Sequence, residues 1–168
     1  NQTEAKAQGI IPSFHKEDGY NCVVYKEVRY HYILENLLEQ DEELILVGLI
    51  RNPIQVLSSW FNAPREFRKD LGWDEYEEWY EAKLKKGERR EDYFGFKKWV
   101  ETTELLERLS AKYPTRCRIV KYSELSNHVS ATVKSLFEFC GLDFNHQTEE
   151  FILTSTSTTN TDVYSVFR

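Results

Sequence analysis

Leu44-Ile45-Leu46-Val47-Gly48-Leu49-Ile50-Arg51-Asn52-Pro53 is the stretch that decides the fold. The run from Leu44 to Ile50 is apolar without alternation, as in a parallel strand covered on both faces by helices. It stops abruptly at Arg51. Asn52 is a strong helix N-cap, and Pro53 suits the first helical position, where no N–H is needed. A helix is therefore expected from Pro53, with Ile54, Leu57 and Phe61 as its buried stripe, Val56 and Trp60 alongside, and Pro64 at or just past its end.

The same grammar extends in both directions. Upstream, Cys22-Val23-Val24-Tyr25 follows a turn at Asp18-Gly19 and reads as a short buried strand. Tyr30, Ile33, Leu34, Leu37 and Leu38 then recur at helical spacing. Downstream, residues 65–92 form a charged helical insert with Trp73, Tyr76, Tyr80 and Leu84 on one face and Lys85-Lys86-Gly87 as its close. Phe96, Trp99, Val100, Leu106 and Leu109 mark a long amphipathic helix to about Ala111, broken at Tyr113-Pro114. A third strand is expected over Arg118 to Tyr122. After it comes a helix with Val129, Val133, Leu136, Phe137 and Cys140 inward and Gly141 as its stop. Thr154 to Thr161, nearly all Ser, Thr and Asn, reads as a mobile loop.

Strands alternating with helices define an α/β class with a parallel sheet covered on both sides. Ligands of such sheets bind at the carboxyl ends of the strands. Three polar clusters lie there: Lys26 to Arg29, Arg51 to Pro53, and Tyr122 to Glu124.

Composition narrows the functional classes. The 168 residues suit one domain, and 40% hydrophobic residues are enough for a core. The net charge of −6 argues against a general nucleic-acid binder but permits a local basic pocket. No apolar run is long enough to span a membrane, and residues 1–20 do not read as a signal peptide. Cys22, Cys117 and Cys140 are too scattered for a disulfide framework or a zinc site, so no metal is expected. Unpaired cysteines and the lack of a visible export signal favour the cytoplasm, with a Golgi-type location left open.

Arg51 admits two readings. An anion at the strand end would meet a guanidinium fork, the amides of a helix N-terminus and the hydroxyl of Ser59, two turns on. Alternatively, Arg51 pairs with a surface carboxylate and Ser59 only packs. The residues themselves leave both open.

The segment LILVGLIRNPIQVLSS, residues 44–59, resembles the strand–loop–helix of sulfotransferases that use 3′-phosphoadenosine 5′-phosphosulfate (PAPS). That resemblance implies that Arg51 and Ser59 hold the 3′-phosphate of the donor. VKYSELSNHVSATVKSLFEFCGL, residues 120–142, is similar to the family's second nucleotide motif, which implies that Tyr122 contacts the adenine. Ser123 and Cys140 depart from the family's usual Glu and Leu. VVYKEVR, residues 23–29, resembles the acceptor-side strand. There Lys26 would bind acceptor or sulfuryl oxygens and Glu27 would accept a proton, unless the pair is simply a solvated strand end. Val28 stands where the cytosolic branch places His, which leans toward the carbohydrate-type and bacterial members; His31 then reads as structural. YSVFR, residues 164–168, resembles family endings in which a basic residue, here Arg168, closes over the 3′-phosphate.

The family's 5′-phosphosulfate loop has no counterpart in residues 1–20, where Gly9 and Gly19 stand alone. Residues 1–168 are thus expected to be a single sulfotransferase-like domain lacking its N-terminal strand and loop, with the 65–92 insert near the acceptor. The resemblance implies a three-layer, P-loop-NTPase-like fold and metal-free sulfuryl transfer from PAPS to a hydroxyl or amine of a small molecule or carbohydrate. Trp73, Tyr76, Trp79 and Tyr80 would stack on such an acceptor or fill a core. Two rival readings stand beside this one. A nucleotide kinase-like phosphoryl transferase would need a Walker-type loop and a strand ending in a carboxylate. A non-catalytic binding domain would use the aromatic insert to hold a partner.

Overall fold

Two strands pair in parallel: β1 (Leu46–Ile50) and β2 (Cys117–Lys121), with Leu46 opposite Cys117 and Ile50 opposite Lys121. The computed structural model describes residues 22–62, 67–85, 91 and 94–156. Parallel strands require a crossover. Here it runs through α2 (Pro53–Phe61), the single turn α3 (Glu75–Glu78) and α4 (Phe96–Lys112). A 3-10 turn, His31–Ile33, leads into α1 (Leu34–Gln40) ahead of β1, and α5 (Tyr122–Asn127), α6 (Val129–Phe139) and α7 (His146–Thr156) follow β2.

The start of α2 forms as its sequence requires. The Asn52 side chain accepts the Ile54 N–H at 2.9 Å, and Pro53 occupies the first turn. Helix α6 ends at Gly141, whose φ of 65° lets the Leu142 N–H reach back to the Phe137 carbonyl at 2.8 Å.

The core lies on one face of the sheet. Leu34 and Leu38 of α1, Leu106 and Leu109 of α4, and Cys117 of β2 are buried together. Gly48 makes this approach possible: a Cβ there would sit 2.9 Å from both Leu106 methyl carbons. The other face carries Val47, Leu49, Arg118 and Val120, by the two-residue alternation of strands. Over β2 this face is covered by α6, because Arg118 donates to the Ser135 carbonyl at 3.0 Å and to Ser135 Oγ at 2.9 Å. Over β1 it is not, and Leu49 remains 54% exposed. The expected helical cover on both faces is therefore complete for β2 and one-sided for β1 among the described residues.

Several other expectations are corrected. Cys22 to Tyr25 is not a strand, and Val23, Val24 and Tyr25 are all exposed. A strand persists where a neighbour satisfies its backbone, and the described sheet consists of β1 and β2 alone. β2 ends at Lys121, and Tyr122 already begins α5. The buried side of α2 is Val56, Leu57 and Trp60, while Ile54 is 75% exposed and Phe61 is exposed too. In the insert, helix among the described residues is limited to a 3-10 turn, Lys69–Leu71, and the single turn α3. Ala82 adopts a left-handed φ of 49°, and the buried Glu78 carboxylate accepts the Leu84 N–H at 2.8 Å, so the chain turns where the periodicity would continue. Tyr76, Tyr80 and Leu84 are consequently exposed. Finally, residues 154–156 belong to α7. The Thr154 and Thr156 hydroxyls donate to the carbonyls of Glu150 and Ile152, four residues back, so both hydroxyls are satisfied within the helix. Residues 157–161 of the expected loop lie outside the described residues.

Candidate functional site

The parallel register sets the site. Ile50 lies opposite Lys121, so Arg51 and Tyr122 leave the sheet side by side. The Arg51 guanidinium lies over the Tyr122 ring, 4.9 Å from its centroid, in a cation–π contact. Arg51 Nε is buried and has no hydrogen-bond partner among the described residues. The guanidinium is thus held by an aromatic face and not neutralised by a described carboxylate, which leaves its donors for an anion.

Arg51 opens onto a cleft of about 500 Å³ between α2, the start of α4 and residues 28–31. Ser59 lines the same cleft, so the structure brings Arg51 and Ser59 to one cavity. Lys98 and Thr102 of α4 also line it, with Trp60 and Trp99 as apolar wall. No carboxylate is among the described lining residues, although the chain carries a net charge of −6. Lys98 is bridged to Glu101, outside the lining. His31 also faces the cleft, and burial pushes its imidazole below the usual range against a smaller opposing pull from the Glu27 charge. The helix N-terminus offers fewer amides than its dipole suggests, because Pro53 has no N–H and Asn52 takes that of Ile54.

Lys26 and Glu27 sit differently. Lys26 is exposed and does not line the cleft. Glu27 Oε1 accepts the backbone N–H groups of Val28 and Tyr30 at 2.7 Å each, and that of Arg29. Those bonds, from Tyr30 and Arg29 foremost, hold its carboxyl below the ordinary range, which makes it a weak base. Tyr122 is not among the lining residues and meets the cleft through Arg51. Arg168 lies outside the described residues.

Lys98, Thr102, Trp60 and Trp99 were not legible as site residues. Their spacing marks amphipathic helices, and only the crossing of α2 with α4 turns one flank of each toward Arg51. The insert's Trp79 and Tyr80 pack on Phe96, with ring centroids 5.7 and 6.1 Å away, and Tyr76 is exposed. Among the described residues no group of three or more His, Cys, Asp or Glu could hold a metal ion, and no helix is long and apolar enough to cross a membrane.

A family model described as the sulfotransferase domain matches residues 23–166, a span that includes Arg51, Ser59 and Tyr122. No curated protein and no solved structure matches the chain.

Proposed function

The chain belongs to the sulfotransferase domain family, a family of transferases, and on that premise we propose that it transfers a sulfuryl group from PAPS to a hydroxyl or amine, with a carbohydrate as one candidate acceptor. The observation that carries this reading is Arg51: a strand-end guanidinium whose buried Nε has no partner among the described residues, facing a cleft with no acid side chain among its described lining residues. A doubly charged phosphate matches that environment in charge and in hydrogen-bond demand.

In this account Arg51 and Ser59 hold the 3′-phosphate, and Tyr122 contacts the adenine while keeping the guanidinium aimed. Lys26 serves acceptor or sulfuryl oxygens, and Arg168 closes over the 3′-phosphate. Glu27 could take the acceptor's proton only after giving up its three backbone donors. PAPS supplies the activated sulfuryl group, and the protein supplies position and positive charge, which requires no metal. The reading keeps the three-layer, P-loop-like arrangement for the whole domain, the 65–92 insert on the acceptor side, and a cytoplasmic setting.

A thermal-shift panel tests it. Adenosine 3′,5′-bisphosphate should raise the melting temperature, with about 2.7 kcal/mol of stabilisation at a hundred times its Kd. ATP with magnesium should do far less. Stabilisation by ATP with magnesium alone would favour phosphoryl transfer, and indifference to both would favour a binding domain.

A further inference from the structure

The Arg51 carbonyl lies one residue beyond the ladder between β1 and β2, so it needs a donor from elsewhere. Trp99 of α4 supplies it: its indole Nε1–H donates to the Arg51 carbonyl at 3.1 Å across 48 residues of chain. The neighbours of Arg51 are already committed, Ile50 to the ladder and Asn52 to capping α2. The indole bond fixes the peptide between them, and with it the direction in which the guanidinium leaves the sheet.

Trp99 is itself held from the other side. The Phe96 ring stacks on it, with centroids 5.8 Å apart and planes within 9°. The first N–H groups of α4 dock on the insert, Phe96 to the Trp79 carbonyl and Lys97 to the Tyr80 carbonyl, both at 2.9 Å. Gly95 permits that docking: its φ is 88°, and a Cβ there would lie 2.5 Å from the Tyr80 oxygen. A continuous path of close contacts therefore runs from the insert through Phe96 and Trp99 to Arg51.

We propose that Trp99 is a positioning residue for Arg51, and that it ties the placement of the donor's 3′-phosphate to the seating of the insert. This rests on the donor-site reading of Arg51. Trp99 lines the cleft as well, so a direct contact with ligand must be separated from action through Arg51.

The test is a double-mutant cycle on nucleotide affinity. Trp99→Phe keeps an aromatic ring and removes the donor. It should weaken adenosine 3′,5′-bisphosphate binding about fivefold, a part of the charge-assisted contact that a misplaced Arg51 would lose, and leave adenosine 5′-phosphate unchanged. In an Arg51→Ala background the same substitution should add nothing. An equal fivefold loss in that background would show that Trp99 acts independently of Arg51 and would overturn the proposal. Normal binding by Trp99→Phe beside a weakened Arg51→Ala would overturn it alone. Unchanged bisphosphate affinity in Arg51→Ala would overturn the donor-site reading and the proposal with it. Should Trp99→Phe not fold, the wild-type indole N–H signal of Trp99 replaces it, assigned by elimination with Trp60→Phe, Trp73→Phe and Trp79→Phe. Saturating bisphosphate should shift that signal in the wild type and not in Arg51→Ala; no shift, or equal shifts, would contradict the link.

Discussion

Arg51 and Lys26 each follow a short apolar run, and the structure treats them in opposite ways. Arg51 extends from a strand paired along its length. Its carbonyl, its guanidinium and the residue after it each have a defined neighbour. Lys26 follows Cys22 to Tyr25, which pairs with neither strand and is exposed, with Val24 at 82%. What distinguishes the two positions is the ladder beneath Arg51, not the identity of the cation. The backbone at Arg51 is consequently held by several partners, and that at Lys26 is shaped by one local turn around Glu27.

That contrast can be broken most strongly at Gly48. Gly48→Val forces a side chain into Leu106 and should cost about 1–3 kcal/mol of stability. Nucleotide affinity should fall with it, since Arg51 stands at the end of the same strand. Val24→Ser on the exposed segment should stay within about 0.5 kcal/mol. Chemical denaturation of both variants checks this, and equal losses would mean that residues 22–25 are as firmly packed as β1.

A smaller effect is expected at Tyr122. Its ring holds the guanidinium by its face, so Tyr122→Phe should be mild and Tyr122→Ala should cost about 1 kcal/mol of bisphosphate affinity. Calorimetric titration of the two variants would measure it. A folded Ala variant with normal affinity would reduce Tyr122 to a helix-start residue.

The smallest effect is expected at Glu27. The Glu27 carboxyl is depressed in the folded chain, so the turn it caps is fully formed above the ordinary carboxylate range. That contribution is lost as pH falls through the lowered value. The Arg29 and Tyr30 amide resonances should move together in an acid titration, and Glu27→Gln should flatten the response. Flat resonances in the wild type would show that the carboxylate does not organise this turn.

Much of the surroundings of Arg51 was legible in the sequence for local reasons. An apolar run, an N-cap and a proline specify β1, α2 and the position of Arg51 without tertiary information. The sequence offered two strands with Arg51 and Tyr122 at their ends, and the register that pairs Ile50 with Lys121 brings Tyr122 to Arg51. The rest depended on long-range geometry. Residues 22–25 have strand composition but lack a strand neighbour among the described residues. The insert has helical periodicity, but Ala82 turns left-handed and Glu78 bonds to the backbone beyond it. Trp99 shows the same limit from the opposite side. Its spacing announced a buried helix face, whereas its hydrogen bond to a carbonyl 48 residues away became visible only when α4 was laid against β1.

The most direct test of the account is the affinity of Arg51→Ala for adenosine 3′,5′-bisphosphate, measured beside adenosine 5′-phosphate. The substitution should weaken the bisphosphate by about 2–3 kcal/mol, the scale of a charge-assisted contact in a partly buried site, and leave the 5′-phosphate nearly unchanged. Equal losses for the two nucleotides would contradict the assignment of Arg51 to the 3′-phosphate.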